Sequence, residues 1–300
     1  MSGPAVPFHP ELRGAARWLP RSPIGPRTLR PVRLLSGLTK LLPSKNVEVA
    51  TVGPITVRVH RTTGADVRPA LLWIHGGGYV MGTAGQDDAL CRHFAETLGI
   101  VVASVDYRLA PESPFPVPLQ DCYDGLAWLA GRDYVDATRL AVGGASAGGG
   151  LAASLALLAR DRGEYPLALQ LLAYPMLDDR TVCRTGIDER NFRLWNNRSN
   201  RFGWQSYTGS APGSPEISPL AAPARSDDLA GLPPAWIGVG TLDLFHDEDV
   251  AYAGRLEAAG VACTLEVVPG AFHGFDVVAK SGVARAFRAS QAAALGAALH

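Results

Sequence analysis

From residue 47 onward, short apolar runs alternate with longer stretches of helical spacing. Residues 47–52 and 55–61 are β-branched runs on either side of Gly53-Pro54, a pattern that predicts an antiparallel hairpin. Apolar runs at 70–74, 100–105, 140–143, 167–173, 235–240 and 264–268 read as buried strands. Between them, 89–98, 122–130, 151–160, 250–259 and 283–299 place apolar residues three and four apart and predict helices. Strands alternating with helices bury both faces of a sheet, so the predicted class is α/β: a mainly parallel sheet after an antiparallel start. No internal repeat is visible.

One segment breaks the rhythm. Between 177 and 218 aliphatic runs are scarce, while Phe192, Trp195, Phe202, Trp204 and Tyr207 are interleaved with Arg180, Arg184, Arg190, Arg193, Arg198 and Arg201. Aromatics mixed with arginines can stack on single-stranded nucleic acid. Its place between two strands argues instead for an insertion folded over the sheet's carboxyl end, where open α/β sheets bind ligands.

Composition narrows the classes further. The 300 residues are 47 % apolar and 19 % charged, enough for a large core, and 28 basic residues balance 28 acidic ones. That balance gives no reason to expect a nucleic-acid partner. Up to residue 60, however, Arg13, Arg17, Arg21, Arg27, Arg30, Arg33, Lys40, Lys45 and Arg58 face only Glu11 and Glu48. Prolines at 4, 7, 10, 20, 23, 26 and 31 work against a long amphipathic helix there, so an irregular arm packed over the body is expected. Cys91, Cys122, Cys183 and Cys263 form no CxxC pair and read as reduced, mostly buried thiols without a metal role. With no signal-peptide run and no stretch near the ~20 apolar residues of a membrane span, a cytoplasmic protein lacking an integral membrane segment is expected.

The chemistry-bearing residues sit where strand patterns end. Gly144-Ala145-Ser146-Ala147-Gly148 is a G-x-S-x-G pentapeptide between a strand and a helix, the turn that presents a serine hydroxyl at the top of a sheet. A serine that merely caps the helix is the bland alternative. His75-Gly76-Gly77-Gly78 follows the 70–74 run, and its glycines leave backbone N–H groups able to face an oxyanion. The donors expected are the amides of Gly77, Gly78 and Ala147, with His75 orienting the loop. A phosphate loop would need the Walker lysine or G-x-G-x-x-G spacing, and neither is present. A serine nucleophile needs a base, and His273, just past the last strand, is favoured over His246. Asp243, three residues after the 235–240 strand, is the expected carboxylate, while Asp247 and Glu248 read as the acidic start of a helix. Serine, acid, histidine is the chain order of α/β-hydrolases.

Taken with Tyr79 and Asp106-Tyr107-Arg108-Leu109-Ala110-Pro111-Glu112, these motifs and His273-Gly274-Phe275 resemble the hormone-sensitive-lipase-like (family IV) esterases from about residue 69 to the end. Ala145 stands where many members carry an acid or threonine, and Leu244 follows Asp243 where proline is frequent. The resemblance implies an eight-stranded α/β-hydrolase sheet, with 46–176 and 219–300 as catalytic domain and 1–45 and 177–218 as cap. It also implies cofactor-free hydrolysis of small carboxylic esters, on short or medium acyl chains, through an acyl-enzyme. Tyr79, Trp195, Phe202 and Trp204 are the candidate substrate contacts. The last strand and the final helix are the candidate surfaces for a homodimer. Competing readings are an amide, formamide or carbohydrate-acetyl hydrolase on the same fold, and a ligand receptor built on it, as in the gibberellin receptor. Receptors of that kind usually lack the histidine, and His273 is present.

Overall fold

The hairpin expected around Gly53-Pro54 forms β1 (Glu48–Val52) and β2 (Ile55–His60), with Val52 opposite Ile55. The computed structural model describes residues 7–21, 24–37, 47–62, 64 and 66–300. Six further strands follow: β3 (Arg68–Ile74), β4 (Val101–Asp106), β5 (Val135–Ala145), β6 (Leu167–Ala173), β7 (Ala235–Leu242) and β8 (Cys263–Phe272). They build an eight-stranded sheet in the order β1-β2-β4-β3-β5-β6-β7-β8. β2 runs antiparallel to β4, and every pairing from β4 to β8 is parallel. This is the α/β-hydrolase fold.

Helices cover both faces. α3 (Asp88–Leu98) and α8 (Gly282–Leu299) lie on one side; α4 (Val117–Ala130), α5 (Ala147–Arg162) and α7 (His246–Ala258) lie on the other. The two-residue period of β3 shows why both are needed. Leu71 and Trp73 pack with Phe94 of α3 and Phe287 of α8, while Leu72 and Ile74 pack with Leu126 of α4 and Leu151 of α5. All eight side chains are fully buried, each contributing about 1.5–3 kcal/mol relative to an exposed position.

Some boundaries differ from the sequence expectation, for local reasons. α5 starts at Ala147 rather than 151, because Gly148, Gly149 and Gly150 have no side chains to mark a helical period. α4 starts at Val117; Pro118 sits in its first turn, where a missing N–H leaves no hydrogen bond unmade. The arm was expected to be irregular, yet it contains α1 (Arg13–Ala16) and α2 (Leu29–Gly37). Pro31 falls in the first turn of α2, whose N–H groups have no intrahelical partner anyway. Residues 1–6, 22–23 and 38–46, with Lys40, Lys45 and part of the arm expected in a cap, lie outside the described residues.

The arm and the 177–218 segment are tied together. The Leu194 amide donates to the Pro20 carbonyl (2.8 Å), Arg193 Nε to the Ala16 carbonyl (2.6 Å) and Ser199 Oγ to the Ile24 carbonyl (2.8 Å). The segment itself holds two short 3₁₀ turns and α6 (Asn197–Thr208). Its start is anchored from α7 by Glu248, which accepts from the amides of Leu177 (2.8 Å) and Asp178 (3.1 Å) and from the Thr181 hydroxyl. Cys91 and Cys122 are buried, Cys183 is exposed, and Cys263 lies between. Among the described residues no helix is long and apolar enough to cross a membrane.

Candidate active site

Because β3 and β5–β8 are parallel, the residues that follow them emerge at one edge of the sheet. Register aligns those ends: Ile74 lies opposite Gly144, Ala145 opposite Ala173, and Leu242 opposite Phe272. His75, Ser146, Tyr174, Asp243 and His273 are therefore the next residues of five strands.

Ser146 sits at φ +57°, between β5 and α5. A non-glycine residue there is strained by about 1–3 kcal/mol, and the surrounding hydrogen bonds hold it. Its amide donates to the Ala173 carbonyl (2.9 Å), and its carbonyl accepts from Gly150 (3.0 Å) and Met176 (3.0 Å). The turn needs glycine at 148, where a Cβ would lie 2.1 Å from the Ile74 carbonyl oxygen. Gly148→Ala gains about 1 kcal/mol in helix propensity, against overpacking on rigid backbone of about 1–3 kcal/mol or more. A lower urea midpoint is the expected result; a midpoint at or above wild type would refute this close approach.

His273 and Asp243 come together over this serine. His273 Nε2 lies 2.9 Å from Ser146 Oγ, and His273 Nδ1 lies 2.8 Å from Asp243 Oδ2. The other carboxylate oxygen, Oδ1, accepts from the Phe245 amide (3.0 Å), fixing the acid's orientation. All three residues are 4–6 % exposed. A carboxylate at Nδ1 favours the tautomer with the proton there, leaving Nε2 to accept from the serine hydroxyl. Tyr174 and Phe245 meet the imidazole edge-on, with ring centroids at 5.0 and 5.2 Å. The approach of the two loops depends on Gly240, where the β7–β8 register shifts and a Cβ would fall 2.1 Å from the Ala271 carbonyl oxygen. His246 turns away to Asp247, its Nδ1 2.7 Å from that carboxylate.

The glycine loop after β3 borders the same space. Gly77 and Gly78 have φ of +128° and +59°, and the Gly77 carbonyl accepts from Val80 and Met81 (3.1 and 3.0 Å). His75 stacks on Tyr107 at 4.3 Å, its Nδ1 2.9 Å from the Gly76 carbonyl oxygen, while the Tyr107 hydroxyl donates to the His75 carbonyl (3.1 Å). Ala147, at the first position of α5, brings a helix N-terminal amide beside the serine.

A cavity of about 590 Å³ opens over Ser146 and His273. Gly76, Gly77 and Gly78, Ile24 and Val32 of the arm, and Leu194 and Trp195 of the 177–218 segment line it. Of the four aromatics expected to touch substrate, only Trp195 lines this cavity. Tyr79 is fully buried, stacked on Tyr207 at 4.0 Å, and Trp204 is fully buried against Tyr79 at 5.4 Å. Phe202 packs on the core from the same helix. These three support the wall instead of facing the space. Tyr174, Asp87, Asp276 and Arg288 also line the cavity, and the sequence reading did not single them out. Tyr174 follows β6 as directly as Ser146 follows β5, so the same strand-end rule would have found it.

Comparisons with known proteins agree with this architecture. A family model, Abhydrolase_3, described as alpha/beta hydrolase fold, matches residues 71–277. The carboxylic ester hydrolase LipN of Mycobacterium tuberculosis is 38 % identical over 74 % of this chain, and the match spans 61 % of LipN's own length. The esterase LipI of the same organism is 35 % identical over 90 % of this chain and 84 % of its own. Among solved structures, a bacterial heroin esterase superposes with a TM-score of 0.88 at 38 % identity, covering 98 % of both chains.

Proposed function

The chain belongs to the hormone-sensitive-lipase-like (Abhydrolase_3) esterases of the α/β-hydrolase fold and is a carboxylic ester hydrolase, and we propose that it works through an acyl-enzyme on Ser146. The observation that carries the proposal is the continuous contact from Ser146 Oγ to His273 Nε2 (2.9 Å) and from His273 Nδ1 to Asp243 (2.8 Å). Ser146 Oγ attacks the ester carbonyl carbon while its proton passes to His273 Nε2, and Asp243 stabilises the imidazolium. The amides of Gly77, Gly78 and Ala147 receive the oxyanion. Collapse of the tetrahedral intermediate breaks the bond to the alkoxide, which takes the proton from His273 and leaves as alcohol. Water then loses a proton to His273, attacks the acyl-serine and releases the acid, restoring the Ser146 hydroxyl. No cofactor enters the cycle.

The arm and residues 177–218 act in this reading as a cap that closes the cavity from above and limits acyl length; their hydrogen bonds to each other support it. A p-nitrophenyl ester series from acetate to palmitate tests the function. Turnover is expected to be highest on short and medium chains and to exceed that on matched anilides; absence of turnover on every ester would sink the proposal.

Trp195 sets the width of this cavity beside the serine. A Cβ on Gly78 would lie 2.1 Å from its ring, and its ring centroid stands 6.3 Å from that of His273. Trp195→Ala is expected to raise the kcat/KM ratio of octanoate to acetate ester by about tenfold, within the range that apolar pocket contacts command. A ratio left at the wild-type value argues against this role.

A further inference from the structure

We propose that Asp87 and Asp276 form a subsite of the Ser146 cavity that receives a cationic group, an ammonium or its equivalent, carried by the ester substrate. The proposal rests on the Ser146 reading and adds a substrate class to it.

Three elements distant in sequence build the subsite. Asp87 ends the 3₁₀ turn Ala84–Asp87, Asp276 lies in the turn Phe275–Val277 after β8, and Arg288 comes from α8; all three line the cavity. Their neighbours on its wall, Leu90 and Val277, are apolar, so charge is concentrated in this corner. Each acid has one oxygen engaged by a neutral donor: Asp87 Oδ2 accepts from Trp73 Nε1 (2.9 Å), and Asp276 Oδ1 accepts from the Tyr174 hydroxyl (2.7 Å). Asp276 is 8 % exposed, and its second oxygen has no hydrogen-bond partner among the described residues. That oxygen belongs to a residue on the cavity wall, free of protein donors among the described residues and open to a donor or a cation carried in by the substrate.

Arg288 does not supply it. Its guanidinium donates to the Asp276 backbone carbonyl (2.8 Å), and its Nε is buried without a partner among the described residues. Two carboxylates therefore face one guanidinium. Asp88 is engaged by Arg58, at 2.8 and 2.5 Å. The excess of negative charge has a physical signature. Burial, together with repulsion from Asp276 and Asp88, pushes the Asp87 carboxyl up to about 7, although the Trp73 hydrogen bond and Arg288 pull it down. The other titratable groups nearby, the Cys91 thiol and the Tyr174 phenol, are pushed up by burial and stay neutral. Above about pH 7 Asp87 is ionised and the corner holds a net negative charge; below it Asp87 is protonated and the attraction for a cation weakens.

Isosteric ester pairs test this. Choline acetate against 3,3-dimethylbutyl acetate probes the alcohol side. p-Nitrophenyl 4-(trimethylammonio)butanoate against p-nitrophenyl 5,5-dimethylhexanoate probes the acyl side. In at least one pair the cationic member is expected to have the higher kcat/KM by about tenfold near pH 8, with the preference shrinking toward pH 6. Asp87→Asn and Asp276→Asn keep an oxygen for Trp73 and Tyr174 and should each lower that ratio several-fold. Asp87→Asn should also flatten its pH dependence. The ratio within one enzyme cancels His273 protonation and any loss of folded protein. A neutral member equal or better in both pairs, or a ratio unmoved by both substitutions, overturns the subsite. Turnover of the neutral esters, and its loss in Ser146→Ala, tests the Ser146 reading separately.

Discussion

Ser146→Ala is expected to lower kcat on p-nitrophenyl butyrate by a factor on the order of 10⁶, with the protein still folded. The magnitude follows from the geometry: the hydroxyl lies 2.9 Å from His273 Nε2, in the cavity that the glycine loop also lines. Without it, the residual turnover expected is attack by water, aided only by the proposed oxyanion amides. Folding should hardly change, because alanine carries the same strain at φ +57° and the three backbone hydrogen bonds at residue 146 remain. Steady-state kinetics paired with thermal unfolding checks both halves. A variant that keeps more than a hundredth of wild-type kcat at the wild-type melting temperature removes Ser146 from the mechanism.

Asp243→Asn should lower kcat by about 10⁴ with little effect on stability. The Phe245 amide will hold the asparagine oxygen where it now holds Oδ1 (3.0 Å), which turns the amide NH₂ toward His273 Nδ1. Nδ1 must then accept, so the imidazole proton moves to Nε2 and faces the serine hydroxyl it is meant to deprotonate. Measured kcat within tenfold of wild type would show that Asp243 does not set the tautomer, and would redirect attention to the other acids at the start of α7.

How far the sequence speaks differs from residue to residue. Ser146, Asp243 and His273 were legible because each follows an apolar run, and a parallel sheet delivers every such residue to one edge. His75 and the glycines after it were legible for the same reason. The aromatic insertion was not. In α6, Trp204 and Tyr207 are three apart and share the buried face, while Phe202 packs on the core from another; nothing in the spacing says that the shared face meets Tyr79 behind the cavity wall. Asp87, Asp276 and Arg288 were invisible for a different reason. They approach one another only after the 3₁₀ turn before α3, the turn after β8, and α8 have packed, and no local pattern records that meeting. The arm's α2 was missed because Pro31 argues against a helix unless its place in the first turn is known.

The central claim, that Ser146 is the residue acylated in turnover, is tested most directly with a fluorophosphonate probe, intact-protein mass and peptide mapping. One adduct per chain on Ser146, accumulating in step with loss of esterase activity and absent from Ser146→Ala, is the predicted result; inactivation with the adduct on another residue, or full activity in the fully labelled protein, would contradict it.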